Sequence, residues 1–303
     1  MRKISLIAFF VNTLLYATYY PVAKGALERL DPWVFMALAE ALTVPVALVL
    51  LVRAGRLDRQ TLRSGVLLGV ISNLGFAIGL QALAFTSATN TTFLGALSGV
   101  LGALITRLVL RQPLSLITWL AGGLSLVGAL GLIFEGGWAG VNLGDLIALL
   151  AAFAYAWSIF QTDRETSRPG IHTPSLLAVV LLTGAVLALV ESLVFGDWAG
   201  TLQRATPLLD ATTLGYVAVV TTVIPYAVTL KLQRHLRPVT VAFIYVIEPL
   251  WAALFAALYL GETLTVFGLG SAGLILAGSL LAVRATAPPT QSAPAPKPQP
   301  EYA

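Results

Sequence analysis

Residues Thr92 to Gly128 recur without a gap as Ala242 to Gly278, 150 positions further along the chain. Phe93 falls on Phe243, Ala103 on Ala253, Leu108 on Leu258, Leu110 on Leu260, Leu114 on Leu264, Gly123 on Gly273, Leu124 on Leu274 and Gly128 on Gly278. A chain that carries its own copy folds as two related units, and in lipid this duplication is the pattern of solute carriers whose halves rock about a shared site. Composition says which solvent applies: 57% of the residues are hydrophobic, 11% are charged and the mean hydropathy is +0.86. Soluble domains carry roughly 25% charge, so the sequence describes a polytopic membrane protein.

Runs of about 20 apolar residues cross a hydrocarbon core of about 30 Å. Ten such runs are read at 5–27, 32–52, 62–84, 88–110, 115–134, 142–161, 174–195, 212–232, 239–260 and 264–283. Helices are the reading for runs this long, because no backbone group can be left unpaired in lipid. Short connections leave no room for an inserted soluble domain. With the N-terminus inside, Arg2, Lys3, Arg53, Arg56, Arg59, Arg63, Arg107, Arg111, Arg164, Arg168, Lys231, Arg234, Arg237, Arg284 and Lys297 share one side. Only Lys24, Arg29 and Arg204 fall opposite. Basic residues favour the cytoplasmic side, so both termini are expected there. Anionic headgroups account for the net charge of +4 without a nucleic-acid partner.

Arg2 and Lys3 ahead of an apolar run resemble a secretory signal, but Tyr16-Ala17 has a counterpart in Tyr155-Ala156, which makes the first run a member of the repeat. Five runs then belong to each half, and an odd number makes the copies enter the membrane in opposite senses. The expected architecture is all-α, ten transmembrane helices as a five-plus-five inverted repeat. Its halves are residues 1–137 and 138–285. Residues 286–303, rich in Pro, Ala, Gln and Ser, are expected to form a disordered cytoplasmic tail.

Pro238 with Ala242, Ile247-Glu248-Pro249, Leu260-Gly261-Glu262-Thr263-Leu264 and Gly273-Leu274-Ile275-Leu276-Ala277-Gly278 resemble the second-repeat signature of the ten-helix, EamA-type branch of the drug/metabolite transporter superfamily. The first half departs further. Around Tyr16 to Lys24 only the closing Lys24 matches, Gln112 stands where relatives carry Glu, and Glu40 stands where many carry Arg. The resemblance implies a secondary transporter in the cytoplasmic (inner) membrane of a prokaryote.

Charge at membrane depth is costly and is either paired or functional. Glu248, beside Pro249, and Glu40 both fall near mid-span, and they are candidates for coupling, for binding an amine, or for a structural role. Lys24 sits near the end of the first run, where its stem can snorkel or its head can meet a ligand. Pockets for small molecules combine aromatic walls with a few placed polar groups, which nominates Tyr16, Tyr20, Asn73, Tyr155, Trp157 and Tyr245 as cavity-lining residues. Gly65 with Gly69, Gly75 with Gly79, and Gly95 with Gly99 favour close helix packing. Glu191, four residues from the end of its run, reads as interfacial.

The chain has no cysteine and shows no metal-ligand, nucleophile or phosphate-loop constellation, so no enzyme activity, metal or cofactor is expected. The expected function is export of hydrophobic or aromatic amino acids, or of similar small metabolites, by alternating access. A non-transporting scaffold or regulator is the alternative. Carriage of phosphorylated or nucleotide-linked sugars ranks lower, because basic residues that would meet phosphates sit at span ends. Two halves in one chain are compatible with a monomer and with a dimer. Single cysteines introduced as Arg2→Cys and Arg284→Cys should both react with a membrane-impermeant thiol reagent only after the membrane is opened; labelling of either from outside intact cells would overturn the orientation.

Overall fold

The computed structural model describes residues 2–109, 111, 116–134, 142–232 and 244–286, and among them the chain forms helices and no strand. The helices are α1 (Arg2–Leu27), α2 (Pro32–Ala41), α3 (Val44–Ala54), α4 (Arg59–Phe85), α5 (Ala88–Gly95), α6 (Leu97–Val109), α7 (Leu116–Ile133), α8 (Leu143–Thr166), α9 (Thr173–Phe195), α10 (Trp198–Arg204) and α11 (Pro207–Tyr216). A π-helical segment (Val217–Val223), α12 (Ile224–Leu232), α13 (Glu248–Leu260) and α14 (Val266–Thr286) follow. Eight helical stretches are long and apolar enough to cross a membrane: α1, α2 with α3, α4, α7, α8, α9, α11 through α12, and α14. This is an integral membrane protein. The other two expected spans are shorter here: 88–110 appears as α5 and α6, interrupted at Ala96, and 239–260 is described only from residue 244, with α13 as its helix. Pro238, residues 233–243 and the expected tail beyond Thr286 lie outside the described residues.

Proline sets several of the interruptions. Pro45 has no N–H to give the carbonyl of Ala41 and its ring crowds that carbonyl. The second span accordingly breaks at Leu42–Thr43, where Thr43 returns its N–H (3.0 Å) and hydroxyl (2.7 Å) to the Glu40 carbonyl. Pro225 acts in the same way on the eighth expected span, where the chain widens into the π-helical segment just before it. Pro249 occupies the first turn of α13, where a missing N–H costs nothing.

The α4–α5 turn is clamped at both ends. Lys24 donates to the carbonyls of Leu83 (2.8 Å) and Thr86 (2.7 Å) at the negative end of the α4 dipole. At the positive end of α5, Glu262 accepts from the N–H groups of Ala88 (2.8 Å) and Thr89 (2.9 Å) and from the Thr89 hydroxyl (2.7 Å). Arg29 pairs with Asp210 at 2.8 Å, tying the end of α1 to α11.

The duplication is visible in how α7 crosses α14. A Cβ on Gly128 would meet the Ser271 carbonyl at 2.5 Å and the Ile275 nitrogen at 2.9 Å, and a Cβ on Gly278 would meet the Ala121 carbonyl at 2.6 Å and the Ser125 nitrogen at 2.9 Å. Gly128 and Gly278, Ala121 and Ser271, and Ser125 and Ile275 are all 150 apart, so the contact is reciprocal, as a twofold relation requires. The same offset relates Arg111 (φ 52°) to Gly261 (φ 68°): both stand in the left-handed region, but only Gly261 does so without a Cβ.

Replacing Gly128 or Gly278 by Ala should cost about 1–3 kcal/mol through overpacking, read as a lower melting temperature in detergent. Arg111→Gly should stabilise by about 0.5–1 kcal/mol, the ~1–2 kcal/mol of relieved left-handed strain less the extra freedom of the unfolded chain.

Candidate functional site

The helix interruptions converge on a buried polar region. Glu40 ends in the last turn of α2, immediately before the Leu42–Thr43 break, and lines a void with Gly69, Ser72, Asn73 and Phe76 of α4, Val180, Leu181 and Gly184 of α9, Thr222 of the π-helical segment and Tyr226 of α12. The void measures about 280 Å³, including the part open to solvent. An adjoining void of about 310 Å³ shares Glu40, Phe76 and Thr222 and is closed by Tyr19, Phe35, Met36, Ala39 and Val217. Gly184 faces the Glu40 carboxyl: a Cβ there would stand 3.5 Å from its Oε2, an ordinary contact.

Asn73 is buried, and its Nδ2 donates to Glu191 Oε1 at 2.8 Å. Asn73 Oδ1 and Glu191 Oε2 are left without partners among the described residues. Glu191 is therefore half-buried and bound to a void-lining side chain, a correction to its interfacial reading.

Aromatic side chains wall the region on the α1 side. Tyr19 meets Tyr20 edge-on at 5.5 Å and Phe76 at 6.3 Å, and Phe76 meets Tyr155 at 6.2 Å. Tyr155 lies against the glycine face of α4. A Cβ on Gly75 would press on its ring at 3.2 Å, and one on Gly79 would collide with its hydroxyl. Tyr16 meets Tyr245 at 6.2 Å, and the Tyr245 hydroxyl accepts from Asn12 Nδ2 (3.1 Å) and shares a hydrogen bond with Thr229 (3.2 Å).

Glu248 opens α13 directly after the turn at Val246–Ile247, with electrostatic reach to Tyr16, Tyr20, Tyr155 and Tyr245. Among the described residues, neither Glu40 nor Glu248 makes a side-chain hydrogen bond or ion pair, and no Lys, Arg or His lines either void.

The nominated residues therefore divide. Asn73 and Glu40 share the void; Tyr155 and Tyr20 join it through Phe76 and Tyr19; Tyr16 and Tyr245 pack together beside Glu248. Lys24 is engaged with backbone carbonyls and faces no void. Trp157 is 40% exposed and stacks on Phe160 at 5.7 Å. Two residues advance a helix by about 200°, so with Tyr155 facing α4, Trp157 faces outward and lines neither void. Tyr19 and Tyr226, polar aromatic residues within spans and so candidates from the sequence, also line the voids, whereas Ser72, Phe76 and Thr222 are lining residues that the sequence did not single out. Of these three, Ser72, three positions before Gly75, carried the nearest signal. Of the glycine pairs, Gly65 and Gly69 do seat a second helix: a Cβ would stand 2.6 Å from Val179 and 2.5 Å from Thr183 of α9.

The sequence profile of the EamA-like transporter family matches residues 3–134 and 142–284. The chain belongs to this family. Its relatives include the S-adenosylmethionine/S-adenosylhomocysteine transporters of Chlamydia muridarum (24% identical, spanning 93% of this chain and 92% of that protein) and of Chlamydia trachomatis serovar D (26% identical, 90% and 86%). An uncharacterized transporter of Archaeoglobus fulgidus is 26% identical over 54% of this chain and 50% of its own length. A crystal structure of a protein 17% identical superimposes with a TM-score of 0.62, covering 93% of this chain and 97% of that one, which shows a shared fold. The family and these relatives are transporters, not enzymes.

Gly79→Ala should drive the Tyr155 ring off α4 and lower the detergent melting temperature, with a cost of about 1–3 kcal/mol, while Gly99→Ala, where a Cβ meets nothing within 4 Å, should not. Equal melting of both variants would contradict the seating of Tyr155.

Proposed function

We propose that this chain is a secondary transporter for an organic cation that carries two cationic centres and a flat ring, of the S-adenosylmethionine class, bound between two inverted five-helix halves, residues 1–137 and 138–285. One observation carries the reading: Glu40 and Glu248 stand half-buried within the spans, without a side-chain hydrogen bond or ion pair among the described residues, in a region walled by Tyr16, Tyr19, Tyr20, Phe76, Tyr155 and Tyr245, with no basic side chain lining the voids. A site of that kind waits for positive charge, because an unpaired carboxylate at membrane depth is costly. Its walls favour a cation with a planar face, through ring stacking and cation–π attraction. S-adenosylmethionine brings an ammonium, a sulfonium, an adenine ring and a carboxylate of its own, with one cationic centre to place near each of the two glutamates. Hydrophobic and aromatic amino acids, the cargo expected from the sequence, share the ammonium and the ring but leave one carboxylate uncompensated.

Support for the inverted halves comes from the 150-residue repeat, the two family-profile matches and the reciprocal α7–α14 crossing. An odd number of spans in each half supplies the opposed orientation that alternating access uses. With both termini cytoplasmic, the Lys24, Arg29 and Glu262 contacts close the outer side of the inner membrane.

Proteoliposomes holding the full chain and loaded with S-adenosylhomocysteine should accumulate labelled S-adenosylmethionine, and Glu248→Gln should cut the initial rate by about tenfold or more, the loss of a charge-assisted contact. Phenylalanine in excess should compete weakly. Uptake of labelled phenylalanine with no uptake of S-adenosylmethionine would restore the amino-acid reading, and no flux of either would favour the scaffold.

A further inference from the structure

An ammonium and a sulfonium are both cations, but they ask for different surroundings. The ammonium carries N–H donors and needs acceptors; the sulfonium has no hydrogen to donate and is held by carboxylate charge and aromatic faces. The candidate region is divided along the same line.

Around the first void the unused polar atoms are acceptors. Glu40 offers a carboxylate without a partner, and Asn73 offers Oδ1, buried and unpaired because Nδ2 is committed to Glu191. A buried amide oxygen left open is costly unless something donates to it. Ser72, Thr222 and Tyr226 add hydroxyls that accept as readily as they donate. The enclosed space is far below the roughly 300 Å³ at which pockets for drug-sized ligands begin, so this conformation leaves room at Glu40 and Asn73 for little more than water. The surroundings of Glu248 are different: the nearby groups are the tyrosines Tyr16, Tyr20, Tyr155 and Tyr245, of which Tyr16 and Tyr245 pack ring to ring at 6.2 Å.

We infer that Glu40 and Asn73 form a primary-ammonium subsite, with Glu191 as a positioning residue that fixes the Asn73 amide so that its oxygen stays free. The ring and the sulfonium are left to the tyrosines around Glu248. This assignment rests on the cargo class proposed above and adds which end of the solute goes where, and it makes Glu191 a determinant of specificity without contact to the solute.

The test is a binding measurement on the purified full-length chain with four adenosine compounds. S-adenosylmethionine has both cationic groups, S-adenosylhomocysteine only the ammonium, 5′-deoxy-5′-(dimethylsulfonio)adenosine only the sulfonium and 5′-methylthioadenosine neither. Glu40→Gln should weaken S-adenosylmethionine and S-adenosylhomocysteine by about tenfold, and leave the dimethylsulfonio compound unchanged. Asn73→Ala should follow the same pattern, which keeps the test open should Glu40→Gln fail to fold. Glu191→Ala should lose affinity for the ammonium compounds alone, and Glu191→Gln, which retains an acceptor for Asn73 Nδ2, should recover it. Equal losses for the ammonium and the sulfonium compounds, or no loss in Glu40→Gln and Asn73→Ala, would overturn the subsite.

Should none of the four compounds bind, the cargo reading falls, and the subsite is judged with propylammonium against tetramethylammonium. Preference for propylammonium that disappears in Glu40→Gln supports the subsite, and equal binding of both ions overturns it.

Discussion

A carboxylate taken out of water must find a proton, a cation or a set of donors, and the desolvation cost otherwise reaches several kcal/mol. Glu40 and Glu248 stand under that constraint, half-buried in the apolar bundle with no side-chain hydrogen bond or ion pair among the described residues. Acids at the span ends are paired: Asp210 with Arg29, Glu165 with Ser64 and Arg168, Asp145 with Thr86 and Asn90, Glu262 with the head of α5. Under the proposed function, that contrast separates acids that hold the bundle together from acids open to a solute.

Small residues and prolines create the space in which that openness is possible. Pro45, Pro225 and Pro249 place a break, a widened helical segment and a helix start next to Glu40, Tyr226 and Glu248, and interrupted helices at depth are tolerated where they line a cavity. Gly65 and Gly69 bring α9 onto α4, and Gly75 and Gly79 bring Tyr155 onto the same helix. The result is dense packing with voids smaller than an adenosine compound requires.

Much of this arrangement was legible in the sequence. Apolar runs reported the spans because lipid forces backbone pairing within each helix. The 150-residue offset reported the α7–α14 crossing down to Gly128 and Gly278, and the cost of deep charge singled out Glu40 and Glu248. Failures came where information lies between helices. Trp157 was nominated for its depth, yet only rotation about α8 tells that it faces outward while Tyr155 faces in. Glu191 read as interfacial because distance from a span end says nothing of Asn73 on a neighbouring helix. Lys24 gave no sign that the carbonyls of Leu83 and Thr86 would occupy it. The breaks at Thr43 and Ala96 divided runs that hydropathy alone presents as continuous; Pro45 announced the first, and the second has no proline nearby.

A structure of the full-length protein with S-adenosylmethionine bound would test the central claim most directly. The account predicts the solute between α2, α4 and α13, its ammonium within about 3 Å of Glu40 and Asn73 Oδ1, a charge-assisted hydrogen-bond distance, and its ring among Tyr16, Tyr20, Tyr155 and Tyr245. Density for the solute elsewhere, with Glu40 and Glu248 still unpaired, would contradict it.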